Sequence, residues 1–425
     1  MAQGFQIVAA AMGDEDGVPR AAYGRMVIIG IGYLFPISAI WAAFDYWKQL
    51  FPDRNVEFIV TCIYQAGAIG TVAILSCRPS IDFHRRILGG LVGQLLCLGC
   101  IFAFRWMPLP PCQLYFVLLG LVWAVSIATG FLDSSLLALC SQYSPRMQEM
   151  MQVGIGFGTF VSVVYRDSTK FLITGNDADS ASAYFVVAML TIILCVYCYI
   201  SLVTMPFSRK VLGEKKIGHS SPRASPHLSP SCEGVHAPLA DAEVPLLDRP
   251  KGSTLLRRVW VNEFAIFGNF VLTTILYPGL LTSIPCNDWV ALRSGQWFQM
   301  MLLSIFTVSD VIARLVLWIR LGLDYTNVWV TVAIRALMPV ALLVCATGAV
   351  RNDLLSALFV VACGFANGYC GSISLIVINE RPDLTSAEKR IAGRYSAVAV
   401  NGGLCVGSFL GMYLGSAFGL AGQLN

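Results

Sequence analysis

The chain has 425 residues, of which 56% are hydrophobic and only 13% charged, and its mean hydropathy is strongly positive. Soluble domains carry about 25% charged residues, so composition excludes the soluble classes and indicates an all-α polytopic membrane protein embedded in a lipid bilayer. The formal net charge of +4 is too small to imply a nucleic-acid partner.

In chain order, residues 1–25 form a polar tail containing Gly13-Asp-Glu-Asp-Gly-Val-Pro-Arg20. It lacks the basic, apolar, small-residue order of a cleaved signal peptide, so the first span is expected to stay in the mature protein. A bilayer-spanning helix needs roughly 20 apolar residues. Runs long enough, or nearly so, fall at 26–47, 58–77, 87–104, 114–141, 150–165, 183–205, 259–281, 297–319, 328–350, 354–378 and 395–420. The fifth, 16 residues long, is the shortest.

Residues 206–258 interrupt this series. They are rich in Ser, Pro, Lys and Arg, as in Ser220-Ser-Pro-Arg-Ala-Ser-Pro-His-Leu-Ser-Pro-Ser231. Too little apolar surface is present there to offset the entropy of ordering, so a disordered tether is expected, with Ser-Pro sites open to phosphorylation. It divides the eleven expected spans into a six-helix bundle over 26–205 and a five-helix bundle over 259–425. Two such bundles around a midplane cavity form an alternating-access, major-facilitator-like architecture.

Orientation follows the basic residues. With the N-terminus cytosolic, 20 Lys and Arg fall on the cytosolic side and 7 on the other, or 11 against 7 without the long loop. The N-terminus and the 206–258 loop are thus expected in the cytosol and, with eleven spans, the C-terminus on the opposite side; the plasma membrane is the expected location.

Among the 14 cysteines, Cys97/Cys100 and Cys195/Cys198 have Cys-x-x-Cys spacing. They lie in apolar runs, where cysteine behaves as a small hydrophobe. The four histidines, His84, His219, His227 and His236, read as loop residues. No metal or cofactor is expected, and no nucleophile–base pair marks the spans as those of an enzyme. Glycine clusters such as Gly154, Gly156 and Gly158, or Gly407, Gly411 and Gly415, fit close helix approach rather than a phosphate-binding loop.

The most informative stretch is Phe306-Thr-Val-Ser-Asp-Val-Ile-Ala-Arg314 in the eighth run. Asp310 and Arg314 are four residues apart and so leave one helical face a turn apart. Each would be disfavoured near the bilayer centre by about 2.5–3.5 kcal/mol on insertion scales. Such a pair persists where it faces a partner or a water-filled cavity, which points to a transporter; a structural ion pair closing a gate is the alternative. Asp133 is a second acid at mid-membrane depth. Trp41, Tyr64, Gln65, Thr307 and Asn401 are polar or aromatic residues at cavity depth, and Arg335 lies in the ninth run.

Several stretches resemble the equilibrative nucleoside transporter family of solute carriers. Tyr33-Leu-Phe-Pro36-Ile37-Ser38-Ala-Ile-Trp41 resembles its leucine-proline-tryptophan-asparagine opening, with Ile37 and Ser38 replacing the last two. Gly130-Phe-Leu-Asp133-Ser-Ser135, Tyr143-Ser-Pro145 and Gly154-Ile-Gly156-Phe-Gly158 are similar in order and spacing, as is Tyr277-Pro278-Gly279. Thr307, Asp310, Ala313 and Arg314 stand at the family's asparagine–aspartate–glycine–arginine positions. Arg335-Ala-Leu-Met-Pro339 and Gly364-Phe-Ala-Asn367-Gly368-Tyr369 also fit.

The resemblance implies passage of nucleosides, and in some members nucleobases, down their gradient; some protozoan members couple transport to protons. It implies substrate contacts at Asp310, Arg314, Asp133, Thr307, Trp41 and Ile37; Gln65 and Tyr64, polar and aromatic at cavity depth, are expected to join them. Gate or structural roles are implied for Arg335, Pro36, Tyr277, Pro278, Asn367 and Asn401. Asp310 would accept from ribose hydroxyls and Arg314 would donate to the sugar or to ring nitrogens. Asp133 stands where the family commonly has glutamine, which implies either altered base preference or a proton-binding site; a structural pair with an arginine is the alternative. A carrier of another small polar solute such as a sugar, and a membrane receptor, are the rival functions.

Overall fold

A computed structural model describes residues 18–211 and 252–419, apart from 53, 55, 78–82, 141, 142 and 174–176. Each apolar run contains helix. The helices are α1 (Arg20–Ala42), α2 (Val56–Cys77), α3 (Phe83–Phe102), α4 (Pro111–Cys140), α5 (Pro145–Leu172), α6 (Asp177–Val203), α7 (Gly252–Ile275), α8 (Trp297–Leu315), α9 (Val330–Ala346), α10 (Asp353–Ile376) and α11 (Ser386–Ala417).

Among the described residues nine helices are long and apolar enough to cross a bilayer. The two that fall short do so for different reasons. α9 is too short, being two pieces, Val330–Arg335 and Met338–Ala346. α5 is long, 28 residues, but carries Arg146, Glu149, Arg166, Asp167 and Lys170 near its ends. The expected fifth run, 150–165, is therefore only its apolar middle.

The first half packs α1 against α5 and α6, with α4 joining α2 and α3; the second packs α7 against α11 and α8 against α10. The halves meet where α2 and α4 touch α11 and where α5 touches α8 and α10. α1 is apolar all round, as a central helix must be, and is buried from Ala22 to Ala42 on most sides. α6 instead turns Leu190, Ile193, Leu194, Tyr197 and Ile200 outward, and α10 turns out Leu354, Leu358, Val361 and Phe365. These helically spaced stripes are the surface that lipid covers.

Close seams depend on glycine. A Cβ on Gly154 would sit 2.2 Å from the Val27 carbonyl oxygen, and one on Gly407 2.2 Å from that of Val271, so α1–α5 and α7–α11 approach backbone to backbone.

α5 is fastened to the second half at both ends. Near its start, Arg320 bridges Glu149 (2.8 Å) and Glu380 (2.6 Å), and Gln148 donates to the Leu375 carbonyl (3.3 Å). Near its end, the Ser304 hydroxyl of α8 donates to Asp167 (2.7 Å), and the Lys170 ammonium lies 5.4 Å from the Trp297 ring centre. Arg166, fully buried, is bidentate to Asp45 (2.9 and 2.8 Å), which also accepts from Lys170 (2.8 Å).

Two expectations need correction. His84 is not a loop residue: it sits in the first turn of α3, its Nδ1 2.8 Å from the Tyr199 hydroxyl. The other histidines lie outside the described residues. The 206–258 segment is helical at its described ends, Pro206–Val211 and the first turns of α7. Its Ser-Pro stretch and the first 17 residues of the N-tail lie outside the described residues.

Candidate functional site

A cavity of about 140 Å³ lies between the halves, in a measure by which one water needs only about 10–15 Å³. It is therefore room for a small molecule rather than a packing defect. All eight residues expected to touch substrate line it: Ile37, Trp41, Tyr64, Gln65, Asp133, Thr307, Asp310 and Arg314. Tyr277, Asn367 and Asn401, expected at gates, line it too.

Arg335, Pro36 and Pro278 stand behind the wall. Pro36 is buried inside α1, which continues through it. Pro278 follows Tyr277, whose φ of −116° and ψ of 135° leave the helix. A proline supplies no N–H and crowds the preceding residue out of helical dihedrals. The break turns the Tyr277 ring onto Phe306, with ring centres 5.1 Å apart and planes 22° from parallel. Trp41 meets Tyr277 (5.8 Å) and Tyr64 (6.1 Å) edge-on, completing an aromatic wall.

Asp310 and Arg314 make the ion pair their spacing predicts, Arg314 Nε donating to Asp310 Oδ2 at 2.8 Å. The guanidinium also reaches across the interface. Its Nη1 donates to the Gln152 carbonyl (3.2 Å) and side chain (3.1 Å) on α5, and to Ser372 on α10 (3.0 Å). The pair is thus both cavity wall and cross-half bond. α5 accommodates it at Gly156, where a Cβ would lie 2.5 Å from Arg314 Cδ and 3.2 Å from Asp310 Oδ2.

Asp133 forms no ion pair among the described residues. The Tyr33 hydroxyl donates to its Oδ1, and Asn401 Nδ2 donates to its Oδ2 at 2.8 Å. Both neighbours present donors, the arrangement an ionised, acceptor-only carboxylate requires. Tyr33 is on α1 and Asn401 on α11, so this acid also joins the halves.

Arg335 is wholly buried and bonds within its own half: Nη1 to the Asn269 carbonyl (2.9 Å), Nη2 to Thr273 (3.1 Å) and Asn367 (2.9 Å). Three polar atoms of the wall, the Tyr64 hydroxyl, Gln65 Oε1 and the Tyr277 hydroxyl, are buried with no hydrogen-bond partner among the described residues. Each such orphan costs about 1–3 kcal/mol, which a bound solute's polar edge would offset. Among the described residues no cluster of His, Cys, Asp or Glu could hold a metal ion.

Sequence reasoning missed Tyr33, Gln152, Thr273 and Phe306 as cavity residues. A signal existed for two of them. Tyr33, Ile37 and Trp41 recur every four residues on one face of α1, and Phe306 is one turn before Asp310. Gln152 and Thr273 carry no such mark.

The solved structures most informative about the fold include a major facilitator superfamily proton:xylose symporter bound to 6-bromo-6-deoxy-D-glucose. It is 13% identical, with a TM-score of 0.61 over 93% of this chain and 88% of that one. The E. coli fucose:proton symporter is 11% identical, with a TM-score of 0.50 over 95% and 98%. At this identity the likeness is one of fold, and it gives the two-bundle architecture its major-facilitator form.

Sequence relatives are more specific. Equilibrative nucleoside transporter 4 of Homo sapiens is 21% identical over 443 residues, covering 92% of this chain and 82% of the relative. Equilibrative nucleotide transporter 4 of Arabidopsis thaliana is 26% identical over 337 residues, covering 73% and 77%. The family model described as nucleoside transporter matches residues 119–415, a stretch running from α4 to α11 that includes Asp133, Asp310 and Arg314. With well over half of its length matched, the chain belongs to the nucleoside transporter family.

Proposed function

We propose that this protein carries nucleosides across the membrane by alternating access, the halves over 26–205 and 259–425 rocking about the cavity they enclose. The observation that carries the reading is the cavity itself, lined by a carboxylate–guanidinium pair, an aromatic wall and orphaned polar atoms. A nucleoside is neutral, so net charge does not capture it; matched donors and acceptors beside a stacking surface do. Asp310 accepts from ribose hydroxyls, Arg314 donates to the solute, and Trp41, Tyr64, Ile37, Gln65 and Thr307 shape the remaining wall. Nucleobases, lacking the sugar, would use part of the same surface. No chemical step is involved.

A proton-assisted mode is favoured by one observation. Asp133 is a buried acid without a cation, held by donors from both halves. On protonation the proton is accommodated at Oδ1, where the Tyr33 hydroxyl can turn and accept, and the Asn401 amide is left donating to a neutral oxygen, so the charge-assisted bond joining the halves weakens. The basic-residue asymmetry supports a cytosolic N-terminus and 206–258 loop and an extracytosolic C-terminus.

The test is uptake of radiolabelled adenosine, uridine and hypoxanthine into cells expressing the protein, with labelled glucose in parallel. Nucleoside uptake above vector control supports the reading. Glucose uptake without nucleoside uptake replaces it with a sugar carrier, and saturable binding without uptake of any solute replaces it with a receptor.

A further inference from the structure

Asn367 has a more specific place in the cavity than a gate residue would. Its carbonyl Oδ1 accepts from Arg335 Nη2 at 2.9 Å and lies 2.7 Å from the Thr273 hydroxyl. Its Nδ2 donates to Asp310 Oδ1 at 2.7 Å. An asparagine amide has two chemically opposite edges of nearly the same shape, so its polarity is decided by its neighbours. Here the neighbours leave one choice. A guanidinium only donates, so the edge toward Arg335 must be the oxygen. An ionised carboxylate only accepts, so the edge toward Asp310 must be the nitrogen. Turning the amide over would place oxygen against carboxylate and N–H against guanidinium, two repulsive contacts in a buried setting.

The amide nitrogen carries two protons, and Asp310 takes one. Among the described residues no acceptor takes the second, and Asn367 is on the cavity wall. We infer that Asn367 presents one N–H of fixed polarity to the transported solute, and that Arg335, acting through the Asn367 carbonyl, is the positioning residue that fixes it. The inference rests on the nucleoside-transport reading and deepens it by assigning a specificity element. This part of the wall takes a solute atom that accepts a hydrogen bond, such as a ring nitrogen or an oxygen lone pair.

The placement also accounts for a buried arginine that meets no carboxylate directly. Its charge reaches Asp310 through one amide, which keeps Arg335 out of the solute's path while giving it a role at the site. Lysine, also a donor without acceptor capacity, could hold the same amide edge; glutamine, with both edges available, could not.

The experiment measures inhibition of radiolabelled adenosine uptake by analogues that each lack one acceptor: 1-deaza-, 3-deaza- and 7-deazaadenosine, 2′-deoxyadenosine and 3′-deoxyadenosine. Surface abundance is measured for every variant, and analogue-induced shifts in Tm are read on the purified full-length protein. In the unmodified protein at least one analogue should compete on the order of tenfold more weakly than adenosine, as expected when a buried donor loses its acceptor. Asn367→Ala should weaken adenosine by a similar factor and abolish the difference between adenosine and one such analogue, leaving other preferences in place. Arg335→Gln should reduce the same difference, and Arg335→Lys should restore it.

The inference is overturned if Asn367→Ala weakens every compound by one common factor, or leaves discrimination as it was. It is equally overturned if the unmodified protein takes up adenosine but discriminates against none of the analogues. The Arg335 assignment fails if Arg335→Gln keeps full discrimination. Should Asn367→Ala not reach the surface, Asn367→Ser, too short to span Arg335 and Asp310, is read by the same criteria on purified protein. An unmodified protein that neither transports nor binds any nucleoside refutes the transport reading instead, and that outcome is seen before any variant is compared.

Discussion

The cavity holds two carboxylates that chemistry treats differently. Asp310 has its counter-ion on its own helix, one turn away, and a second arginine one amide further off. Asp133 has none, only the Tyr33 hydroxyl and the Asn401 amide, from opposite halves. Both are almost fully buried. Asp310 therefore keeps its counter-ion whatever the halves do, whereas the bonds of Asp133 change whenever the halves part or a proton arrives. The first is suited to gripping a solute, the second to sensing the conformational state.

The sharpest way to break this contrast is Arg314→Ala. It leaves Asp310 buried beside the cavity without its direct partner, a change of about 3–5 kcal/mol. Nucleoside uptake should fall at least a hundredfold at normal surface abundance, as read by radiolabelled uptake against surface biotinylation. Arg314→Lys should recover little, because an ammonium cannot serve Asp310, Gln152 and Ser372 together. Uptake that survives Arg314→Ala would remove the pair from the solute path.

Asp133→Asn probes the other carboxylate. It removes the charge and leaves one acceptor oxygen, which can face Asn401 while the new NH2 turns to the Tyr33 hydroxyl. Losing hydrogen bonds to a charged group costs about 1.5–3 kcal/mol, so uptake near neutral pH should drop about tenfold or more. On the proton-assisted reading the unmodified protein should transport faster at pH 5.5 than at pH 7.5, and the variant should not. Uptake flat across that range in both would leave Asp133 a fixed acceptor.

Gly156→Ala sharpens the role of the charged pair without touching either charge. The added methyl would press on Arg314 and Asp310, and overpacking of this kind costs about 1–3 kcal/mol. Uptake should fall roughly tenfold, whereas Gly120→Ala, where a Cβ meets nothing within 4 Å, should leave it unchanged.

A surface carboxylate supplies the scale for the smallest effect. In the turn between α10 and α11, hydrogen bonds from Arg381 hold the Asp383 carboxyl well below the usual range, with Arg258 adding to them. A depressed carboxyl contributes stability above its unfolded pKa and loses it as pH falls through the folded value. The Tm contribution of this pair should therefore be constant from pH 6 to 8 and vanish only in strong acid. Because the groups are solvated, Arg258→Gln should cost less than about 1 kcal/mol, a change in Tm of a degree or two on the purified protein.

α5 shows how hydropathy can understate a helix. Its apolar middle reads as 16 residues, yet the helix runs for 28. The polar turns that hide its ends are the ones that bond to Asp45, Ser304, Arg320 and Leu375. Polarity that looks like loop in sequence is, in three dimensions, polarity turned inward. Asp133 makes the same point at the site. Its partners are 100 and 268 residues away, and no spacing in the chain announces them.

What the residues determine alone is local: apolar length selects membrane helices because unpaired backbone cannot enter lipid, and an i,i+4 interval puts Asp310 and Arg314 together because one helical turn does so in any fold. What only the tertiary structure decided is how each helix is rotated and which neighbour it meets. That placed Asn401 against Asp133, Gly156 beneath Arg314, and Arg335 behind Asn367. Hydropathy distinguishes inside from lipid but is nearly blind to which of several buried faces a polar side chain occupies. Helix packing, set by glycine seams and side-chain volumes distributed across the whole chain, makes that choice.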